Sequence, residues 1–208
     1  MLLVPATGTG TPTPAALSAT QVLLSERLAA FGLKNASVQE LTSGSQPTLQ
    51  IEVPHFGGDE RATLETLLNT GTVEFWNTGP SSVLLGSIFD PTQYTQYNPD
   101  GIAPFNGGNL DPGQVYVCQD QAGRPEICFG MKGSAIGDFG TFTAKNVGNY
   151  LTIALDKVVI ESAVIQNAIT GQGVITGDFT LQHAAVIASV LKYPSLPVAF
   201  HIASESSF

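Results

Sequence analysis

The sequence predicts an α+β fold in which a helix-and-strand platform is interrupted by a β-rich lobe and then resumed. Three observations carry this expectation. Helix-start residues at Thr13, Asp59 and Thr180 each precede apolar residues at helical spacing. Short alternating or β-branched apolar runs lie between them. The composition also changes sharply after residue 77, where Pro, Tyr, Asn and Gly crowd the stretch 78–114.

The first element is a short apolar strand, "LLVPA" (2–6), followed by the loop "TGTGTPTP". Thr13 is placed to cap a helix whose first residue is Pro14, because a proline at that position gives up no helical hydrogen bond. Leu17, Leu24, Leu28 and Phe31 then mark one helical face, and Gly32 ends the helix. "ASVQELTSG" and "PTLQIEVP" read as two strands joined by a turn at Ser43-Gly44-Ser45. Asp59 caps a second helix with Leu64, Leu67 and Leu68 inward, and "GTVEFWN" (71–77) reads as a strand with Val73 and Phe75 on one side. The order βαββαβ is that of a ferredoxin-like unit.

Residues 78–114 read as a long loop with a short strand at Val83–Leu85. The segment "VYVCQDQAGRPEICFG" is expected to form a hairpin turning at Ala122-Gly123-Arg124, with Cys118 opposite Cys128. The two cysteines are either a disulfide, worth roughly 2–3 kcal/mol, or two buried thiols. A bridge would place the chain outside the cytoplasm. A Gly-rich stretch with Phe139 and Phe142 follows. "LTIAL" and "VVIES" flank Asp156-Lys157 as a two-residue hairpin, with Leu155 facing Val158 and Ile153 facing Ile160. "AVIQNAIT" is a short helix or turn, and "GVITG" a further strand. Thr180 caps a third helix with Ala184, Ile187, Ala188 and Leu191 inward, and "LPVAFHIAS" is the final strand. The expected division is a base (1–78), an inserted head (79–178) and a second base segment (179–208) whose helix and strand complete the platform.

Charge narrows the function. The 208 residues carry a net charge of −9, and only 12% of them are charged. An acidic surface repels phosphate, which argues against nucleic acid as a partner. No apolar run is long enough to span a bilayer, and "MLLVPATGTG" lacks the basic start of a signal peptide. His55, His183 and His201 have no metal-ligand spacing. "GQGVITG" (171–177) departs from a dinucleotide fingerprint, and no nucleophile elbow or acid–base pair is identifiable. Asp156 reads as a turn residue and Glu161 as a solvated one. The expectation is a non-enzyme without cofactor or metal.

Three stretches carry a resemblance to a known family. They are "LLSERLAAFGLKNASVQELTSGSQPTLQIEVPHFGGDERATLETLLNTGTVEFW", "FGTFTAKNVGNYLTIALDKVVIESAVIQNAITGQGVITGDFTLQHAAVIASVLKY" and "SLPVAF". Together they cover roughly residues 17–77 and 137–200. The pattern resembles the first large extracytoplasmic domain of SecD, or of fused SecDF, an accessory subunit of the Sec protein-export machinery. The hairpin pair Asp156-Lys157 and residue Ala163 stand where that family usually has Asp-Gly and Pro. The resemblance implies a ferredoxin-like base and an inserted head that binds emerging, unfolded preprotein. It also implies SecF and SecYEG as partners, reached through a membrane part driven by the proton gradient. Phe139, Phe142, Val164 and Ile165 are the head's candidate preprotein contacts. Thr78, Gly79, Pro80, Gly177 and Asp178 are the candidate hinge. The composition also admits an extracellular structural or adhesive module.

Overall fold

The computed structural model describes residues 2–5, 11–41, 47–193 and 195–204, and the chain divides into two units. Unit 1 runs up to Gly71 and resumes at Ser195; unit 2 is Thr72–Pro194.

Unit 1 holds strands β1 (Leu2–Pro5), β2 (Ser37–Leu41) and β3 (Thr48–Glu52), with helices α1 (Pro14–Phe31) and α2 (Glu60–Leu68). The capping residues act as the sequence requires. The Thr13 hydroxyl accepts from the Ala16 N–H at 3.2 Å, the Asp59 carboxylate accepts from Ala62, and Gly32 ends α1 in the left-handed region at φ 112°. Leu3, Val38, Leu49 and Ile51 are buried and share one face of the sheet. α1 packs beside β2 and against α2. The expected turn at Ser43-Gly44-Ser45 lies outside the described residues.

Two corrections concern how this sheet is closed. Its strand order is β11-β1-β3-β2, all antiparallel, where β11 is Phe200–Ser204. The strand 73–79, expected to complete the platform, is absent from it. The helix after Thr180, also expected here, belongs to unit 2. Only the last strand returns. Strand 73–79 is buried on both faces, with Phe75 and Trp76 each nearly inaccessible, so it needs a covered, central place.

Unit 2 supplies that place. β4 (Val73–Gly79) lies between β5 (Phe105–Asn106) and β8 (Tyr150–Leu155), and β9 (Val158–Val164) completes the order β5-β4-β8-β9. β6 (Tyr116–Gln119), β7 (Pro125–Phe129) and β10 (Gly173–Ile175) form a second sheet in the order β10-β7-β6. α4 (Leu181–Lys192) packs on β6 and β7 and buries the expected Ala184, Ile187, Ala188 and Leu191.

The helix α3 (Ala135–Lys145) occupies what reads in sequence as a Gly-rich stretch. Two glycines disfavour a helix by about 1 kcal/mol each. One has a packing reason: a Cβ on Gly140 would stand 3.1 Å from Thr170 Cγ2. The long segment after β4 is largely ordered cover. Phe89 stacks on Tyr94 and packs with Trp76, Ala154 and Val159 over one face of the β4–β8–β9 sheet. Residues 83–85 form no strand; the Val83 N–H donates to the Ser162 hydroxyl instead.

Two registers differ from expectation. Asp156 and Lys157 adopt φ 48° and 67°, as a two-residue hairpin requires, and Leu155 faces Val158. One residue further on, a bulge at Ile160 sets Ile153 opposite Glu161. Glu161 is thereby buried at 7% exposure, not solvated. Its carboxylate accepts from the Thr176 N–H and hydroxyl and from the Ser162 N–H, tying β9 to the end of β10. In the cysteine hairpin Cys118 lies opposite Glu126, and Cys128 opposite Tyr116. The cysteines are diagonal neighbours, bridged across a Cα separation of 5.8 Å. Asp120 decides this register, because its carboxylate accepts from Ala122 and Arg124 and centres the turn one residue earlier than expected.

Candidate functional site

Sixteen consecutive positions, 162–177, carry no charged residue. Their middle part leaves the sheet after Val164 and crosses beneath α3 as irregular chain before β10 begins. Each anchor of this crossing is a specific hydrogen bond. The Ile165 N–H donates to Asn149 O at 2.9 Å, and the Gly148 N–H to Ile165 O at 3.0 Å. The Thr143 hydroxyl on α3 donates to Phe139 O at 2.7 Å and accepts from the Ile169 N–H at 2.8 Å. The Gln172 side-chain amide donates to the Tyr116 hydroxyl at 2.8 Å.

Between these anchors lies an open cleft of about 410 Å³, formed by residues 164–172. Among the described residues, the backbone groups of Gln166, Asn167 and Ala168 have no hydrogen-bond partner. The cleft therefore offers exposed amide groups, a few aliphatic surfaces and no charge. That chemistry suits another polypeptide backbone and does not depend on the sequence of the occupant. It has no acid, base or nucleophile aimed into it.

The four contact residues expected from sequence divide in two. Val164 is exposed at 41% on the rim, and Phe142 is half-buried. Phe139 and Ile165 are core residues, at 1% and 3% exposure. Phe139 meets Phe75, Phe105 and Phe129 with ring centroids 5.0–6.2 Å apart, so it supports α3 from below. The cleft itself, 166–172, is missed by a search for aromatic contacts. The signal available in sequence is the long uncharged run.

The expected hinge residues lie within unit 2, not at its edges. Thr78 is buried, with its hydroxyl 2.9 Å from that of Thr152, and Gly79 pairs with Tyr150. Pro80, Gly177 and Asp178 also fall inside the unit. The chain leaves unit 1 after Gly71 and re-enters at Ser195. On the unit 1 side the two passages are joined, with Leu196 N–H donating to Thr70 O at 2.7 Å. Buried Arg27 donates to Leu67 O, Asn69 O and Thr70 O and so fixes the end of α2. On the unit 2 side Asp156 both accepts from the Thr72 N–H and donates to Thr72 O.

His55 Nδ1 lies 2.8 Å from the Glu60 carboxylate, His183 meets the edge of Phe179, and His201 lies on β11. Among the described residues no group of His, Cys, Asp and Glu is arranged to hold a metal ion, and no helix is long and apolar enough to cross a membrane.

Residues 101–198 match the family model for the SecDF P1 head subdomain. A protein translocase subunit SecD from Dictyoglomus turgidum is 33% identical over 149 residues, 71% of this chain and 31% of that protein. The chain belongs to the SecD/SecDF family. SecD from Aquifex aeolicus is 44% identical over 83 residues, 40% of this chain and 17% of its own length. SecDF from Thermus thermophilus is 35% identical over 106 residues, covering 50% of this chain and 14% of that one. The chain thus spans less than a third of these SecD and SecDF relatives. Two solved structures share its fold. One, described as a membrane component SecDF that enhances protein export, superposes with a TM-score of 0.71 at 24% identity and covers 100% of this chain and 99% of its own. A SecDF in a super-membrane-facing form gives 0.74 at 23%, covering 98% of this chain and 29% of its own. The P1 head match takes in α4, in keeping with the helix's place in unit 2.

Proposed function

We propose that this chain is the extracytoplasmic domain of a SecD-type export factor, in which unit 2 is a head that holds emerging, unfolded preprotein. The observation that carries the reading is the uncharged cleft at 164–172, with its unpartnered backbone groups. A protein serving many preproteins must bind what all of them share, and that is the extended main chain. Backbone pairing supplies affinity without side-chain selection. The disulfide and the family membership both favour an extracytoplasmic location.

In this reading unit 1 is the ferredoxin-like base, closed by β11 in place of strand 73–79. SecF and the SecYEG translocon engage through the rest of the protein, which also draws on the proton gradient. A swing of the head turns on the two passages between the units, after Gly71 and before Ser195.

The test is a photocrosslinking residue at Gln166 or Thr170 in the full-length protein, with a preprotein arrested during export. A crosslink to the preprotein is the expected result. Export that proceeds normally with no crosslink from either position overturns the assignment of the cleft.

A further inference from the structure

We infer that the exposed aliphatic turn at Leu84, Leu85 and Ile88 is a second contact for unfolded polypeptide, selective for apolar segments that also carry Lys or Arg. The inference rests on the preprotein-holding reading above and adds to it a site and a substrate preference.

The turn is unusual in being both apolar and fixed. Leu84, Leu85 and Ile88 are exposed at 78%, 52% and 73%. Such side chains in water are ordinary on a loose loop, but this one is paired along the edge of β9. The Val83 N–H donates to the Ser162 hydroxyl at 2.9 Å, Gly86 N–H to Val159 O at 2.8 Å, Val159 N–H to Ser87 O at 3.0 Å, and Phe89 N–H to Lys157 O at 2.6 Å. Four main-chain anchors hold three aliphatic side chains outward, at no further ordering cost when a partner covers them. Val164 is one pleat beyond Ser162 on the same face of the sheet, so exposed aliphatic surface continues toward the rim of the cleft.

Charge selects the occupant. No charged residue occurs from 78 to 89. Asp90 follows at once, its carboxylate accepting from the Thr92 N–H and hydroxyl and from Gln93. Asp156 and Lys157 stand on the adjoining hairpin turn, and the chain as a whole carries −9. Beside this apolar centre the two carboxylates outnumber the one cation, Lys157, and with the chain's overall −9 this excess attracts apolar chain bearing positive charge and disfavours acidic chain.

The experiment measures binding of three labelled, unstructured peptides to this chain by fluorescence anisotropy: an apolar peptide with lysines, the same peptide with glutamates in their place, and a polar peptide with the lysines. The lysine-bearing apolar peptide is expected to bind most tightly. The variant L84S/L85S/I88S is expected to weaken it at least about tenfold, and a change from about 0.05 to 0.5 M salt should weaken it severalfold. All three positions are exposed, and unchanged Trp76 emission reports that unit 2 remains folded. Equal affinity for the glutamate peptide overturns the inference. So does a triple variant within about twofold of wild type, displacement of the peptide by phosphatidylcholine vesicles acting through the same three residues, or self-association lost in the variant. A blocked cleft, Ala168→Trp, separates the two readings. If it abolishes binding while the triple variant does not, the turn alone is excluded. If no peptide binds any form of the chain, the preprotein-holding reading fails as well.

Discussion

Replacing Thr152 by Val removes one oxygen from a buried chain of hydroxyls and leaves the shape of the side chain almost unchanged. Thr152 is fully buried, and its Oγ1 lies 2.9 Å from Thr78 Oγ1 and 2.9 Å from Ser162 Oγ. The ends of the row fix its direction. The Tyr150 carbonyl can only accept, so Thr78 gives it its single proton at 3.5 Å; Thr152 then donates to Thr78 and Ser162 to Thr152, while Ser162 accepts from the Val83 N–H. The substitution deletes two hydrogen bonds, each worth about 1 kcal/mol net. It also leaves the Ser162 O–H without an acceptor, at a further cost of about 1–3 kcal/mol. The added methyl returns about 0.8 kcal/mol. The expected loss is therefore about 2–4 kcal/mol, with no cavity to share the blame. Trp76 is the single tryptophan and packs beside this row, so urea unfolding followed by its fluorescence reads unit 2 directly. With a slope of about 1–3 kcal/mol per molar urea, the midpoint should fall by roughly 1–2 M. The variant T78V/T152V/S162A, which removes the whole row, should lose less than the sum of its single changes, because the hydroxyl donors go together with their acceptors and only the Val83 N–H loses its partner. A Thr152→Val loss under about 0.5 kcal/mol, or strict additivity in the triple variant, would refute the argument.

Lys157 holds φ 67°, so Lys157→Gly should raise the stability of unit 2 by about 0.5–1 kcal/mol in the same urea assay. Arg27→Met strands three main-chain oxygens at the end of α2 and should destabilise unit 1 by about 2–4 kcal/mol. Faster amide exchange in residues 60–70 than in unit 2 is the measurement for that change. Cys118→Ser/Cys128→Ser opens a loop with a sequence separation of 10 and should cost roughly 2–3 kcal/mol, with a matching loss when the wild type is reduced before unfolding. The Glu60 carboxyl is held below its ordinary value, first by the Phe56 and Gly57 N–H groups and then by His55. A depressed folded value means the contribution is complete above the unfolded carboxylate pKa and fades as pH falls through the folded one. NMR titration should show Glu60 protonating below the other exposed glutamates, and Glu60→Gln should remove pH dependence from the Phe56 and Gly57 amide shifts.

The family was legible before the structure because its signals are local and spaced. Thr13-Pro14, Asp59 and Thr180 cap their helices through bonds reaching three residues, and Asp156-Lys157 makes its turn within two. Such contacts are properties of a short segment and survive in any tertiary setting. The inward faces of α1, α2 and α4 follow from the same periodicity. The site was only half legible. Val164 could be picked out as an apolar residue of a strand end, but nothing in the period of "FGTFTAK" distinguishes a surface phenylalanine from Phe139 at the centre of an aromatic cluster.

What the sequence alone determined is therefore most of the elements, the caps of α1, α2 and α4, and the family, while α3 and the strandless stretch 83–85 came only with the structure. The tertiary structure alone decided which sheet each strand joins. β4 carries apolar residues on both faces, so it is stable only as an inner strand, and the partners that make it one, β5 and β8, lie far along the chain. β11 replaces it beside β1, and α4 stays with β6 and β7. A bulge of one residue likewise turned Glu161 inward, and a turn centred one residue early made the cysteines diagonal. Strand partnership and register are settled by competition among distant surfaces for burial, and no local pattern in the chain encodes the outcome of that competition.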